Sequence, residues 1–197
     1  IGAMTRHAAV AASAEVKKHL PALAELAGQI GDRQVRAMGT IGGSLANNDP
    51  SACYPSAALA LGATITTNKR SIAADDYFQG MFTTALEADE LITSVTFPVP
   101  AKAAYIKFKN PASRYAMVGV FVASGPKGVR VAVTGAGQGG VFRHTAAEAA
   151  LAKSFSPAAL DGVSIGADNM NSDIHASAPY RAHLVGVITK RAVAAAG

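Results

Sequence analysis

Two glycine-rich runs mark places where backbone could meet a ligand. The first is Thr40-Ile41-Gly42-Gly43-Ser44-Leu45-Ala46-Asn47-Asn48-Asp49-Pro50. Paired glycines let the main chain come close to a ligand and adopt positive φ. Successive N–H groups can then form a concavity for a pyrophosphate. Gly42 and Gly43 would supply those N–H groups, and Thr40, Ser44 and Asn47 add neutral donors beside them. Asp49-Pro50 is a helix-start signal, a capping residue followed by proline at the first helical position, so a helix from Ser51 to about Leu61 is expected. Its positive end would face the same ligand. The same letters also fit a tight turn before a helix.

The second run, Gly135-Ala136-Gly137-Gln138-Gly139-Gly140, satisfies the G-x-G-x-x-G dinucleotide fingerprint and follows a strand pattern. Its context is wrong. Val141-Phe142-Arg143-His144 separate the last glycine from the next helical pattern, and too few strands remain downstream for a doubly wound sheet. Other chemistries find little support. His7, His19, His144, His175 and His183 show no metal-ligand spacing and read as surface polar residues. No Gly-x-Ser-x-Gly elbow is present. Cys53, the single cysteine, reads as a small buried residue or as part of a ligand site. With no acid–base side-chain set on display, a bound cofactor would have to supply any chemistry.

The elements that must position these residues follow from composition and pattern. The 197 residues are 50% hydrophobic and 16% charged, at a mean hydropathy of +0.22. That excludes a disordered chain, and no apolar stretch reaches the length of a membrane span. Eighteen basic against thirteen acidic residues give +5, but the basic residues are scattered and tryptophan is absent, which argues against nucleic acid. One cysteine suits a reducing cytoplasm and excludes a disulfide scaffold.

Thr5 to Ala27 carries a helical pattern, with Ser13 starting a second helix and Pro21 breaking it, and Gln34 to Gly43 reads as a linker. Ala63–Thr67, Ser71–Ala74 and the alternating Glu90–Phe97 read as strands, and Asp75–Met81 as helix or turn. Pro98-Val99-Pro100 is the boundary candidate. Beyond it come strands at Ala104–Lys109, Met117–Ser124 and Val129–Thr134, the last two joined by a Gly125–Gly128 turn. Helical patterns follow at Thr145–Lys153, Pro157–Leu160 and Pro179–Ala196. The chain starts at Ile1-Gly2-Ala3, which reads as the interior of a longer protein.

Residues 30–55, centred on the TIGGSLANNDP run, resemble the second flavin-binding motif of the FAD-binding (medium) subunit of molybdenum hydroxylases, the carbon monoxide dehydrogenase and xanthine dehydrogenase group. The resemblance continues in order along the chain: Ile1–His7, Phe82–Leu86, Asp89–Ile92, Tyr105–Phe108, Pro111–Ala116, Phe142-Arg143 and Tyr180–Leu184. It implies an α+β fold, with residues 1–98 as the second lobe of a vanillyl-alcohol-oxidase-type FAD-binding domain. Residues 99–197 then form a C-terminal domain with a three-stranded antiparallel sheet and helices.

It also implies an oxidoreductase component whose FAD takes electrons from 2Fe–2S clusters in a small subunit and passes them to an external acceptor. Substrate is oxidised at a molybdenum cofactor in a large subunit, and the whole is a dimer of heterotrimers in the cytoplasm. By the same resemblance Thr40–Ser44 bind the FAD pyrophosphate, Ile30 and Gly31 contact FAD, and Ile92 touches the flavin ring through its backbone. Lys107 and Tyr115 lie near the isoalloxazine, although by local pattern alone Lys107 reads as a solvated strand lysine. The sequence departs from the family at Cys53, where an acidic residue is usual, and lacks the family's first motif, an Ala-Gly-Gly-x-Ser run of an N-terminal lobe. Two rival readings remain: a nicotinamide dinucleotide domain using Gly135–Gly140, and a cofactor-free interaction module. A flavin absorption spectrum separates them.

Overall fold

The computed structural model describes residues 1–197. Short helices lead the chain: α1 (His7–Ala12), α2 (Ala14–His19), α3 (Pro21–Gly28), α4 (Arg33–Met38), α5 (Ile41–Asn47) and α6 (Tyr54–Leu61). Each break has a local cause. Ser13 caps α2 by accepting the Val16 N–H, Pro21 opens α3, and Asp32 caps α4 by accepting the Val35 N–H at 2.8 Å. Gly62, at φ +62°, closes α6 in the left-handed conformation. Then follow β1 (Thr64–Thr67), β2 (Ser71–Ala73), α7 (Ala74–Tyr77), β3 (Phe78–Gly80), β4 (Thr83–Thr84) and β5 (Ile92–Thr96). β2, β1 and β5 form an antiparallel sheet in that order, and β3 pairs with β4.

The second half is built on β6 (Lys102–Lys109), β7 (Ala116–Gly125), β8 (Gly128–Thr134) and β9 (Phe142–Arg143), one antiparallel sheet in sequence order. It has four strands where the sequence pattern showed three, because the two-residue β9 is too short to carry alternation. The expected hairpin is present, with Gly125 opposite Gly128. α8 (Thr145–Lys153), a 3-10 turn at Pro157–Leu160 and α9 (Ala178–Ala196) complete the chain. The architecture is α+β.

Strand parity explains the core. β7 is buried on both faces over its first eight residues. Val118, Val120 and Val122 point to the cluster shared with α8 and α9. Phe121 and Ala123 point to the larger cluster, which also holds Tyr105, Leu23, Leu45 and Tyr54. The four-stranded sheet is therefore the wall between the two cores, and the larger core crosses the Pro98–Pro100 segment. Each large side chain sealed there contributes roughly 1.5–3 kcal/mol.

Three local expectations are corrected. Much of the 34–43 segment is helical, not a linker, because Asp32 caps α4. The first glycine run does not precede a helix; it is one, with Thr40 as its cap and Asn48 at φ 45° as its end. Asp49 caps only a turn, accepting the Ser51 N–H at 2.8 Å, so the next helix waits until Tyr54.

Candidate functional site

A cleft of about 480 Å³ opens between the 30–53 segment and the start of the C-terminal sheet. Nine of the twelve residues singled out from the sequence line it: Ile30, Gly31, Thr40, Gly43, Ser44, Asn47, Cys53, Lys107 and Tyr115. Three do not. Ile41, the first residue of α5, is fully buried. Gly42 is turned onto Ala3, where an added Cβ would stand 2.5 Å from the Ala3 Cβ, so packing demands that glycine. Ile92 sits in β5 opposite Thr67, packed on the larger core and away from the cleft wall.

The walls are set by local geometry. Gly31 takes φ +47°, and the Arg36 guanidinium locks the turn by donating to the Ile30 and Gly31 carbonyls at 3.0 and 3.2 Å. On α5, Gly43 is exposed and an added Cβ would meet only the Thr40 hydroxyl, at 3.0 Å. The expected nest of free N–H groups is absent. Ile41 N–H donates to Thr5 O, Gly42 N–H to Ala3 O, Gly43 N–H to Thr40 Oγ1 and Ser44 N–H to Thr40 O. What this wall offers a ligand is side-chain groups, the Thr40 and Ser44 hydroxyls and the Asn47 amide, beside an unobstructed glycine.

The cleft also holds two cations, Arg114 and Lys107, and one carboxylate, Asp49. Lys107 alternates with Ile106 and Phe108 along β6, so it shares the face of Tyr105 and points toward the helices of the first half. It is 9% exposed, not solvated as its local pattern suggests. Its ammonium donates to Gln29 O at 2.7 Å and contacts Cys53 Sγ at 3.5 Å. No carboxylate lies within ion-pair distance of it. An ammonium has three donors, so one remains for a ligand. Tyr115, half exposed, reaches the cleft from the β6–β7 loop, which Asn110 shapes by accepting the Ala112 and Ser113 N–H groups.

Sequence reasoning missed His7. It is 5% exposed, not a surface residue, and lines the cleft with Nδ1 unpartnered. Burial holds its imidazolium pKa below the ordinary value. Its ring packs against Tyr54 at 5.3 Å and leaves Gly39 no room for a Cβ. The available signal was spacing, since His7 and the buried Val10 stand three apart on one face of α1. His144 is likewise buried, its pKa lowered by desolvation.

The second glycine run carries a different site. A cavity of about 600 Å³ there is lined by Gly137–Phe142, Ile165, Gly166 and Asp168–Met170, with no cation and one carboxylate, Asp168. That is the wrong charge for a pyrophosphate. Its glycines answer to packing: Gly135 at φ +82° lies against the Ala116 carbonyl, and Gly137 lies against Phe142. No helix begins at Gly140, since β9 follows. The nicotinamide reading fails on both counts. No group of metal-binding side chains occurs, and no helix is long and apolar enough to cross a membrane.

Comparison with known proteins gives the family and the fold. Residues 1–100 match the family model described as the FAD binding domain in molybdopterin dehydrogenase. The whole chain is 38% identical over 210 residues to the nicotine 6-hydroxylase medium subunit of Paenarthrobacter nicotinovorans, covering 74% of it. It is 35% identical over 208 residues to the carbon monoxide dehydrogenase medium chain of Afipia carboxidovorans, with 98% of this chain and 72% of that one aligned. Among solved structures, carbon monoxide dehydrogenase from Hydrogenophaga pseudoflava superposes with a TM-score of 0.85 at 32% identity, covering 100% of this chain and 74% of that one.

Proposed function

The chain belongs to the family of FAD-binding domains of molybdopterin dehydrogenases and is an oxidoreductase component with FAD as its cofactor; from that premise we propose that the 30–53 cleft is where FAD sits. The observation that carries the proposal is Lys107, a buried cation without a carboxylate, with a spare donor at the floor of a cleft walled by Thr40, Gly43 and Ser44. A buried charge left unpaired by its own chain is costly unless a ligand completes it. The residues fit the group: neutral donors suit phosphate oxygens, a cation suits an electron-rich ring edge, and Tyr115 offers an aromatic face.

Each residue then has a task. The Ser44 hydroxyl and Asn47 amide donate to the phosphates, and the Thr40 hydroxyl, which already accepts the Gly43 N–H, has its own proton to donate. Gly43 keeps the wall open, and Gly31 with Ile30 forms the opposite lip. Lys107 favours negative charge where it accumulates on reduction, while Tyr115 covers the ring and limits access of acceptors. Gly42 and Ile41 serve by holding α5 in place.

FAD, when bound, would supply the electron-carrying chemistry; on this reading the electrons would come from 2Fe–2S clusters in a small partner and go to an external acceptor, with substrate oxidised at a molybdenum cofactor in a large one. The names of the relatives, medium subunits and medium chains, support such a complex. Assembly as a dimer of heterotrimers in the cytoplasm belongs to the same reading. So does the division into residues 1–98 and 99–197, supported by a family match that ends at residue 100.

The test is flavin content of the purified subunit. Gly43→Asp puts a carboxylate where the pyrophosphate would lie, with only the Thr40 hydroxyl to displace. Gly139→Asp is the matched control, because nothing lies within 4 Å of a Cβ there. Loss of flavin in the first and retention in the second is expected. Unchanged flavin in Gly43→Asp overturns the placement.

A further inference from the structure

Cys53 is 4% exposed, yet it forms part of the cleft wall. Two buried polar groups share its surroundings. The Lys107 ammonium stands 3.5 Å from Sγ, on a side chain itself 9% exposed. The Tyr105 hydroxyl, from the same face of β6 and in the same core cluster as Cys53, has no hydrogen-bond partner, although the residue is 1% exposed. A thiol sulfur accepts hydrogen bonds weakly, so the ammonium does not recover its desolvation there. An oxygen bound to that sulfur would serve it.

From this juxtaposition we infer that Cys53 and Lys107 form an oxidation-dependent covalent pair: peroxide converts Cys53 to a sulfenic acid, and Lys107 Nζ closes on the same sulfur as an S–N link. In the first step the O–O bond of hydrogen peroxide breaks and an S–O bond forms. The sulfur loses two electrons, the peroxide gains them, and water leaves. In the second step Nζ, having released one proton to cleft water, attacks sulfur. The S–N bond forms as the S–O bond breaks, and the departing hydroxide takes a second Nζ proton to become water. A dithiol reverses the pair by reducing the S–N bond.

The surroundings direct this outcome. Cys53 is the only cysteine, so its sulfenic acid has no thiol of its own chain to meet. Burial excludes bulky thiols while admitting a small peroxide. The nucleophile already in contact is Nζ. The link removes the ammonium charge from the cleft floor. It does not depend on the FAD placement, since it needs only the two side chains and an oxidant.

Treatment of the purified chain with hydrogen peroxide, blocking of residual thiols and tryptic peptide mapping test the inference. The expected product joins peptide 37–69, which carries Cys53, to peptide 103–109, with cleavage after Lys107 lost. The pair is lighter by two hydrogens than its separate members and comes apart in dithiothreitol. Peptide mapping is needed because the exposed Met4 and Met38 also take up oxygen. Lys107→Arg keeps the positive charge without the amine; it should give no link and should accumulate Cys53 sulfenic acid, trapped by dimedone as the peroxide-treated chain is unfolded in denaturant. Cys53→Ser should give neither product. Direct passage of wild-type Cys53 to sulfinic acid without a linked pair, an unreactive Cys53, or a link that persists in Lys107→Arg overturns the inference.

Discussion

Lys107 and Arg130 are both buried cations on the same face of the four-stranded sheet, one on β6 and one on β8, and their surroundings are opposite. Arg130 donates to Leu59 O at 3.0 Å and is ion-paired to Asp75, which also holds Arg143. Arg143 is in turn paired with Glu148, whose carboxylate accepts the Val131 N–H. That end of the sheet is a closed network fastening α6 and α7 to β8 and α8. Lys107 has a carbonyl and a sulfur and no counter-charge. A satisfied buried cation is part of the scaffold; an unsatisfied one is a charge that the fold tolerates and a ligand can use.

The comparison breaks most visibly at Asp75. Asp75→Ala leaves Arg130 buried without its partner and should destabilise the chain by about 3 kcal/mol, the low end for breaking a buried pair because Asp75 is partly exposed. Chemical unfolding measures it, and a loss within the range of a surface pair would remove the distinction.

Lys107→Met tests the other side. It removes a desolvated, uncompensated charge, so the unfolding midpoint should hold or rise. FAD binding should weaken by about 1.5–3 kcal/mol, the worth of a charged hydrogen bond, and the flavin potential should fall by about 20 mV for each ~1 kcal/mol of lost interaction. Equal losses of stability in Lys107→Met and Asp75→Ala would show that both cations are scaffold.

The adjacent glycines of α5 sharpen the same contrast at smaller scale. Gly42→Ala drives a methyl into Ala3 and its carbonyl, with an expected loss of about 1–3 kcal/mol. Gly43→Ala faces the cleft and gains helix propensity, so stability should be unchanged or higher by up to about 1 kcal/mol. Paired thermal unfolding curves decide it.

The smallest effect is in acid. Arg70, with the Glu87 N–H and the Thr67 hydroxyl, holds the Glu90 carboxyl down to about 2, below its ordinary 4.5. A depressed carboxylate stabilises above its unfolded value, and that stability is lost as pH falls from about 4.5 toward 2. His7 and His144, held neutral by burial, add a loss that begins below about 6.5. Glu90→Gln should lower stability at neutral pH and flatten the fall between about 4.5 and 2, leaving only the histidine-dependent slope.

Much of the scaffold was legible because its signals are local. Ser13 marks a helix start by capping, and Pro21 marks the break at which α3 opens. The β7–β8 hairpin announces itself in Gly125–Gly128, and α8 runs over the expected Thr145–Lys153. The helix within the glycine run was not legible, because two consecutive glycines each disfavour helix by about 1 kcal/mol. It forms because the Ala3 and Thr5 carbonyls accept its first N–H groups from across the fold. The order of residues along the chain thus determined which segments could be helix or strand, and which short runs could face a ligand. Only the tertiary structure decided that Gly42 packs while Gly43 lines the cleft, that His7 is interior, and that Lys107 ends without a carboxylate. Those outcomes depend on groups distant in sequence coming within hydrogen-bond range, and no local pattern encodes which carboxylate will be near which cation.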